Sequence, residues 1–140
     1  MLDEEMMQNT DANEEESSTT KPTNDKDSIL TSIKKMLGIA EDYEHFDTDI
    51  IIHINTALMV LNQLGVGPST GFSIFDKTAV WTDFVPDINR IEGIKTYVYL
   101  KVKLIFDPPQ SGAGMDAING VIKELECRIN IAAETKTEEV

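Results

Sequence analysis

Cysteine and histidine are scarce in this sequence, which contains only Cys127, His45 and His53. A single cysteine excludes a disulfide framework, and so few thiol and imidazole groups argue against a zinc site. Long apolar runs are missing as well, because none approaches the ~20 residues of a membrane-spanning helix. The first residues are acidic, which is unlike the basic and apolar start of a secretory signal. The sequence therefore predicts no metal site and no membrane segment, with the cytosol as the default location.

Basic residues are greatly outnumbered by acidic ones. The 140 residues include 12 lysines and arginines against 25 aspartates and glutamates, a formal net charge of −13. A surface of this sign repels phosphate groups, which argues against direct reading of a nucleic-acid sequence. The length is that of a single domain.

No constellation of residues indicates an enzyme. Asp47, Asp49 and Asp87 are explained by helix-capping and turn positions rather than by acid–base catalysis. The glycines of Gly65–Gly71 follow a predicted helix instead of a strand, and their spacing is not that of a dinucleotide-binding loop. The sequence predicts no catalytic residue, no cofactor and no metal ligand.

Composition divides the chain into an arm, a domain and a tail. Residues 1–26 are mostly polar, their charged residues are mainly acidic, and they include no isoleucine, valine or aromatic residue. Such a segment buries too little apolar surface to offset the entropy lost on ordering, so it is predicted to form a disordered or extended arm. A helical domain is predicted for residues 27–133, and a polar tail for residues 134–140.

The densest apolar stretch, Thr96–Pro109, is predicted to be the central element. Alternating apolar and polar residues in Tyr97–Leu104 fit a half-buried strand. A helix that starts near Asn89 fits as well, because apolar residues recur at helical spacing. The pattern is longer than a usual strand, so we predict a helix, apolar nearly all round, that ends by Asp107 before the Pro-Pro pair. One predicted face holds Ile91, Ile94, Val98, Val102 and Ile105, and another holds Tyr97, Leu100 and Leu104.

Two helices are predicted before this central one. The first is capped by Asp27 or Ser28 and stops at Gly38. The second is capped by one residue of the pair Asp47-Thr48 and stops at Gly65. The predicted buried faces are Ile29, Leu30, Ile33, Met36 and Leu37 in the first helix, and Ile50, Ile54, Ala57, Leu58, Leu61 and Leu64 in the second. Lys34, Lys35, Asn55 and Asn62 are predicted to face away.

A last helix and a hairpin complete the predicted fold. The helix runs from about Met115 to Ala133, and its buried stripe is predicted as Ile118, Val121, Ile122, Leu125, Ile129 and Ala132, with Asn119, Glu126 and Cys127 facing away. The β-prone segments Phe72–Ile74 and Ala79–Trp81 predict a small hairpin. The predicted fold class is therefore all-α, a small helical bundle with a long central helix, a short β-hairpin and extended terminal segments.

A family resemblance is carried by three stretches of the chain. They are Asp47–Gly67, then Phe72–Ile74 with the nearby Trp81, and, most specifically, Lys95–Pro109 followed by Ile122–Arg128. Together they resemble the head–tail connector, or adaptor, proteins of tailed bacteriophages, which dock beneath the portal. The resemblance covers about residues 27–134 and leaves out the acidic arm.

The resemblance implies a structural virion protein, present in the host cytoplasm during assembly, that forms a ring of twelve copies on the portal protein. Such a ring extends the DNA channel, through which DNA passes without specific binding, and it offers a platform for a stopper or tail-completion protein. It also implies that the C-terminal segment reaches toward the portal. The subunit or partner contacts are expected from the Gly65–Gly71 loop, the hairpin and the terminal segments. These candidate residues are Gly67, Phe72, Ile74, Trp81, Ala132, Ala133, Glu134 and Val140.

A second hypothesis remains for the acidic composition. The chain could be a free acidic protein-binding module, such as a DNA mimic that occupies a basic groove. That function requires acidic groups on a folded surface at the spacing of phosphates. Much of the acidic charge here lies in the predicted arm instead, which favours the connector.

Overall fold

A computed structural model describes residues 28–139 of the chain, with side chains described from Ser28 to Thr135. The predicted arm, residues 1–26, and the terminal Val140 lie outside the described residues. Apart from connecting loops, the described chain is helical, which confirms the all-α prediction. Its elements are α1 (Ile29–Met36), α2 (Asp47–Gln63), the single turn α3 (Trp81–Phe84), a 3₁₀ turn (Ile88–Arg90), α4 (Ile91–Phe106) and α5 (Gly112–Glu139).

The central position predicted for α4 is confirmed. This helix packs most extensively against α2, and it also contacts α1 and α5. Tyr97, Val98 and Val102 are fully buried along it. Ile105 is exposed, contrary to its predicted place on a buried face. The helix ends at Phe106, where the following Asp107-Pro108 sequence requires non-helical backbone.

Ser28 is the N-cap residue of α1, one of the two residues predicted for this role. Its Oγ accepts a hydrogen bond from the Thr31 backbone N–H at 3.2 Å. The first part of the predicted stripe is buried, but Met36 is exposed and Leu37 is only half-buried. The stripe is short because the helix ends at Met36 and the chain then turns through Gly38.

The start of α2 differs from the predicted capping. Phe46 occupies the N-cap position and makes no side-chain cap hydrogen bond, while Asp47 is the first helical residue. The Asp47 carboxylate pairs instead with the ammonium group of Lys34. The predicted buried face is confirmed except that Leu64 is half-buried. The helix ends at Gln63, shortly before the predicted stop at Gly65.

Helix α5 is longer than predicted at both ends, so the predicted tail continues as helix as far as Glu139. Its buried stripe also differs in part. Val121 and Ala132 are exposed, whereas Ala133 is buried. The residues that face the core follow one another at intervals of three and four, as the helical repeat requires. They are Ile118, Ile122, Leu125, Ile129 and Ala133.

The predicted β-hairpin is wrong, because residues 66–80 form an irregular loop and the described chain has no strand. The loop backbone bonds to side chains of α2 instead of to a second strand. The Asn55 side chain accepts a hydrogen bond from the Ile74 N–H at 2.7 Å and donates one to the Ile74 carbonyl at 3.0 Å. Asn62 donates to the carbonyls of Val66 and Pro68. The only β-type pairing described is the isolated bridge between Ser28 and Val80.

Candidate functional site

Metal-binding chemistry has little support in the described residues. Within them, no group of three or more histidine, cysteine, aspartate or glutamate side chains could hold a metal ion. Cys127 is exposed on α5. Between residues 28 and 139, every helix is too short or too polar to cross a lipid bilayer. The described residues do, however, form surfaces that could contact other proteins.

Gly67 lets the loop after α2 approach α3 closely. Its φ of +85° lies in the left-handed region, and a Cβ atom at this position would overlap the Phe84 ring. Gly65 has a φ of +98°, and a Cβ atom there would lie 2.9 Å from the Ala133 Cβ. The loop therefore adjoins both α3 and the C-terminal part of α5. Gly67 itself is exposed, so its predicted partner contact stays a prediction.

The contact residues predicted in the hairpin, which does not form, lie largely in the core. Ile74 and Trp81 are buried, and the Trp81 indole N–H donates a hydrogen bond to Ser32 Oγ at 2.8 Å. Phe72 is half-buried, with its ring centroid 5.3 Å from that of Phe84. These side chains hold the loop on the domain and have little surface left to offer a partner.

The contact residues predicted in the C-terminal segment differ in their exposure to solvent. Ala132 and Glu134 are exposed, whereas Ala133 is buried beside Gly65. Val140 lies outside the described residues. The structure thus brings the Gly65–Gly71 loop and the end of α5 together at one edge of the domain, although the sequence prediction treated them as separate contacts.

Lys34 forms a buried ionic connection that was missed from the sequence, where it was predicted to be solvated. Only 2% of the residue is exposed. Its Nζ donates to the carbonyls of Glu41 and Tyr43, at 3.0 and 2.8 Å, and lies 2.8 Å from Asp47 Oδ1. That carboxylate oxygen is buried and has no other hydrogen-bond donor. The ammonium group therefore holds the α1–α2 loop in place, and no spacing rule in the sequence signals this pairing.

Tyr97 and Glu126 connect α4 to α5. The buried Tyr97 hydroxyl donates a hydrogen bond to Glu126 Oε2 at 2.6 Å. Burial, and then the hydrogen bond and charge of Glu126, raise the pKa of Tyr97 well above its usual range. Glu126 had been predicted to face away from the core. Its half-buried position follows from this bond, which gives α5 a fixed register on α4.

Exposed apolar side chains and shallow grooves are the main surface features. Single exposed apolar residues are normal in soluble domains, but Phe75 is 84% exposed, which is unusual for a large aromatic ring. A groove of about 480 Å³ lies between α2 and the loop that carries Phe72. A pocket of about 260 Å³ lies between α4 and α5.

The fold and the charge define a class, that of small acidic helical domains. The family model described as phage connector protein matches residues 29–136, which include α1 to α4 and most of α5. The chain therefore belongs to the phage connector protein family, and the resemblance found in the sequence is confirmed. No curated protein and no solved structure matches the chain. Membership of this family gives the chain a structural role as a head–tail connector of the phage virion.

Proposed function

We propose that the chain is the subunit of a ring that docks beneath the portal and extends the DNA channel. The observation that carries this proposal is the family match over residues 29–136. The proposed ring has twelve copies, matching the portal symmetry that the family resemblance implies. Its far side offers a platform for a stopper or tail-completion protein.

The acidic charge supports the channel function. A net charge of −13 disfavours binding of the phosphate backbone, so DNA can pass a wall of such subunits without being held. The same charge would suit a DNA mimic, but that function needs a folded acidic surface. The family match favours the connector over this alternative.

The C-terminal segment, residues 132–140, is the proposed portal contact. Among the residues of α5 whose side chains are described, up to Thr135, the last buried one is Ala133, and the next two, Glu134 and Thr135, are exposed. The helix nevertheless continues to Glu139. The exposed Glu134 and Thr135 are available to a partner without disturbing the fold.

The proposed function is tested by mixing purified portal protein with the full-length chain and imaging the complexes by electron microscopy. We expect a second ring stacked on the portal, with the symmetry of the portal. The isolated chain is expected to be monomeric or loosely associated, because the portal places neighbouring subunits in register.

A truncated chain that lacks residues 134–140 provides the matched comparison. It should keep the circular dichroism and melting temperature of the full chain but fail to sediment with the portal. Equal sedimentation of both chains would show that docking uses another surface. If neither chain binds the portal and the full chain instead competes with DNA for a basic protein, the DNA-mimic hypothesis would replace the connector.

A further inference from the structure

Phe75 lies on a loop that is anchored on both sides. The preceding Ile74 is buried, and its backbone makes two hydrogen bonds with the Asn55 side chain. On the other side, the Ala79 carbonyl accepts a hydrogen bond from the Ile29 N–H at 3.0 Å. The backbone that carries the exposed ring is therefore held in place before any partner binds, which lowers the entropy lost on association.

Asp76, the next residue, carries a charge in a fixed orientation. Its Oδ1 accepts hydrogen bonds from both the hydroxyl and the backbone N–H of Thr78. These hydrogen bonds lower the pKa of Asp76, so the carboxylate is ionised at neutral pH. The loop tip thus presents an aromatic ring beside a negative charge.

The pocket between α4 and α5 has the complementary features. Ile94 and Ile129 form an apolar floor, and the small residues Gly93 and Ala132 leave space above it. Arg90 and Arg128 contribute positive charge at the same pocket. Arg128 is also paired with Glu124 at 2.9 Å, whereas no hydrogen bond or ion pair is described for the Arg90 side chain.

Size and charge both favour an aromatic ring with an adjacent carboxylate as the occupant. The pocket volume of about 260 Å³ exceeds the ~150 Å³ of an apolar cavity that holds benzene. Because Phe75 is 84% exposed, the chain does not fill this pocket with its own ring. The chain is strongly acidic overall, so two copies repel at long range and need a locally basic contact.

We propose that Phe75 and Asp76 of one copy occupy the pocket between α4 and α5 of a neighbouring copy. The ring enters above Ile94 and Ile129, and the carboxylate pairs with Arg90. Because the loop and the pocket are different surfaces, the contact is head-to-tail, and its repetition closes a ring or extends a filament. This inference rests on the proposed function and names the lateral contact of the ring.

Disulfide trapping in assembled virions tests the contact. A phage lacking this chain is complemented with the full-length protein carrying Cys127→Ser, Lys77→Cys and Gly93→Cys, and the virions are oxidised; Lys77 is exposed at the same loop tip, so the variant keeps Phe75 and Asp76. The matched control replaces Gly93→Cys with Gly120→Cys. Both glycines are exposed helical residues with open space at the Cβ position, but only Gly93 lines the pocket.

The expected result is a ladder of dimers, trimers and larger species for the Gly93 pair, and monomers for the Gly120 pair, since a disulfide needs Cα atoms within about 7 Å. Dimers without larger species would indicate a two-fold contact and overturn the head-to-tail arrangement. Virions that contain the chain but yield no ladder would overturn the contact while leaving the proposed function intact. Absence of the unmodified chain from virions would instead overturn the proposed function.

A second pair of substitutions gives an independent readout. Phe75→Ala should lower the yield of infectious particles by about tenfold or more, because a buried aromatic anchor dominates a small interface. Ile131→Ala removes another exposed apolar side chain, one that does not line the pocket, and should leave the yield unchanged. Melting curves check that both variants fold. Equal yields for the two variants would contradict the proposed role of Phe75.

Discussion

At the scale of single residues, the domain depends on polar side chains that are buried for structural reasons. Lys34 is the clearest case, because one ammonium group bonds two loop carbonyls and the Asp47 carboxylate. Burying a charge is costly unless its partners are all present. The α1–α2 loop therefore has one conformation that satisfies Lys34, and the start of α2 follows from it.

Substitution of Lys34 should be strongly destabilising. Lys34→Met leaves the buried Asp47 Oδ1 and the two carbonyls without their donor, and we expect a loss of about 3 kcal/mol in the free energy of unfolding. Urea denaturation at neutral pH measures it. Lys35→Met, at the exposed neighbouring position, should cost about 0.5 kcal/mol or less. Similar losses in the two variants would mean that the Lys34 contacts contribute little.

The Tyr97–Glu126 hydrogen bond should give stability a distinctive dependence on pH. Tyr97→Phe is expected to cost about 1 kcal/mol at neutral pH. The folded-state pKa of Tyr97 is raised, so this contribution is complete below the unfolded pKa of about 10 and is lost as the pH rises above that value.

Denaturation curves between pH 7 and pH 11 check this prediction. The stability difference between the unmodified chain and Tyr97→Phe should be constant up to about pH 10 and should shrink above it. Tyr43 and Tyr99 are present in both proteins, so they contribute equally to the two curves. A stability difference that does not change with pH would show that the folded protein does not raise the pKa of Tyr97.

At the scale of elements, α5 depends on a narrow contact with α4. Its core-facing residues form a single stripe, and among them only Ile122, Ile129 and Ala133 are buried. Much of the helix surface is exposed, including Val121 and Ile131. An isolated helix is marginal in water, so this stripe and the Tyr97 hydrogen bond must hold α5 in place.

A charge introduced into that stripe should therefore strongly destabilise the fold. Ile122→Asp places a carboxylate with no partner at a position that is 7% exposed, and we expect a loss of about 4 kcal/mol in the free energy of unfolding. Asn119→Asp, at an exposed position of the same helix, should cost about 0.5 kcal/mol or less. Chemical denaturation compares them, and equal losses would contradict the orientation of α5.

At the scale of the whole molecule, the chain combines a compact helical core with terminal regions of different character. The core is continuous from α1 to α5 around the central α4. The sequence before Ser28 is acidic and has few large apolar residues. The buried apolar side chains that stabilise the domain therefore lie within the described residues.

Removal of residues 1–26 should leave the domain folded. We expect the melting temperature of the trimmed chain to stay within about 2 °C of the full chain, since ~1 kcal/mol shifts a domain of this size by roughly 2–8 °C. Differential scanning calorimetry at equal protein concentrations measures the change. A drop of 10 °C or more would indicate that the arm packs on the core.

Local sequence rules determined where α1, α2, α4 and α5 lie, although not the short turns between α2 and α4. The Pro-Pro pair and the apolar density of Thr96–Phe106 predicted α4, and Ser28 predicted the start of α1. The buried face of α2 also followed from spacing alone. These features depend on backbone sterics, capping and helical periodicity, which act within a few residues along the chain.

Only the tertiary structure decided the loop, the buried ion pair and the surfaces for partners. Asn55 bonds to Ile74 nineteen residues away, Tyr97 to Glu126 twenty-nine away, and Trp81 to Ser32 forty-nine away. The β-prone segment forms a loop because asparagine side chains of α2 hydrogen-bond to its backbone. Glu126 faces the core because it accepts a hydrogen bond from the Tyr97 hydroxyl. Such partners are set by how helices pack, since a polar group bonds to whatever the folded chain brings within reach.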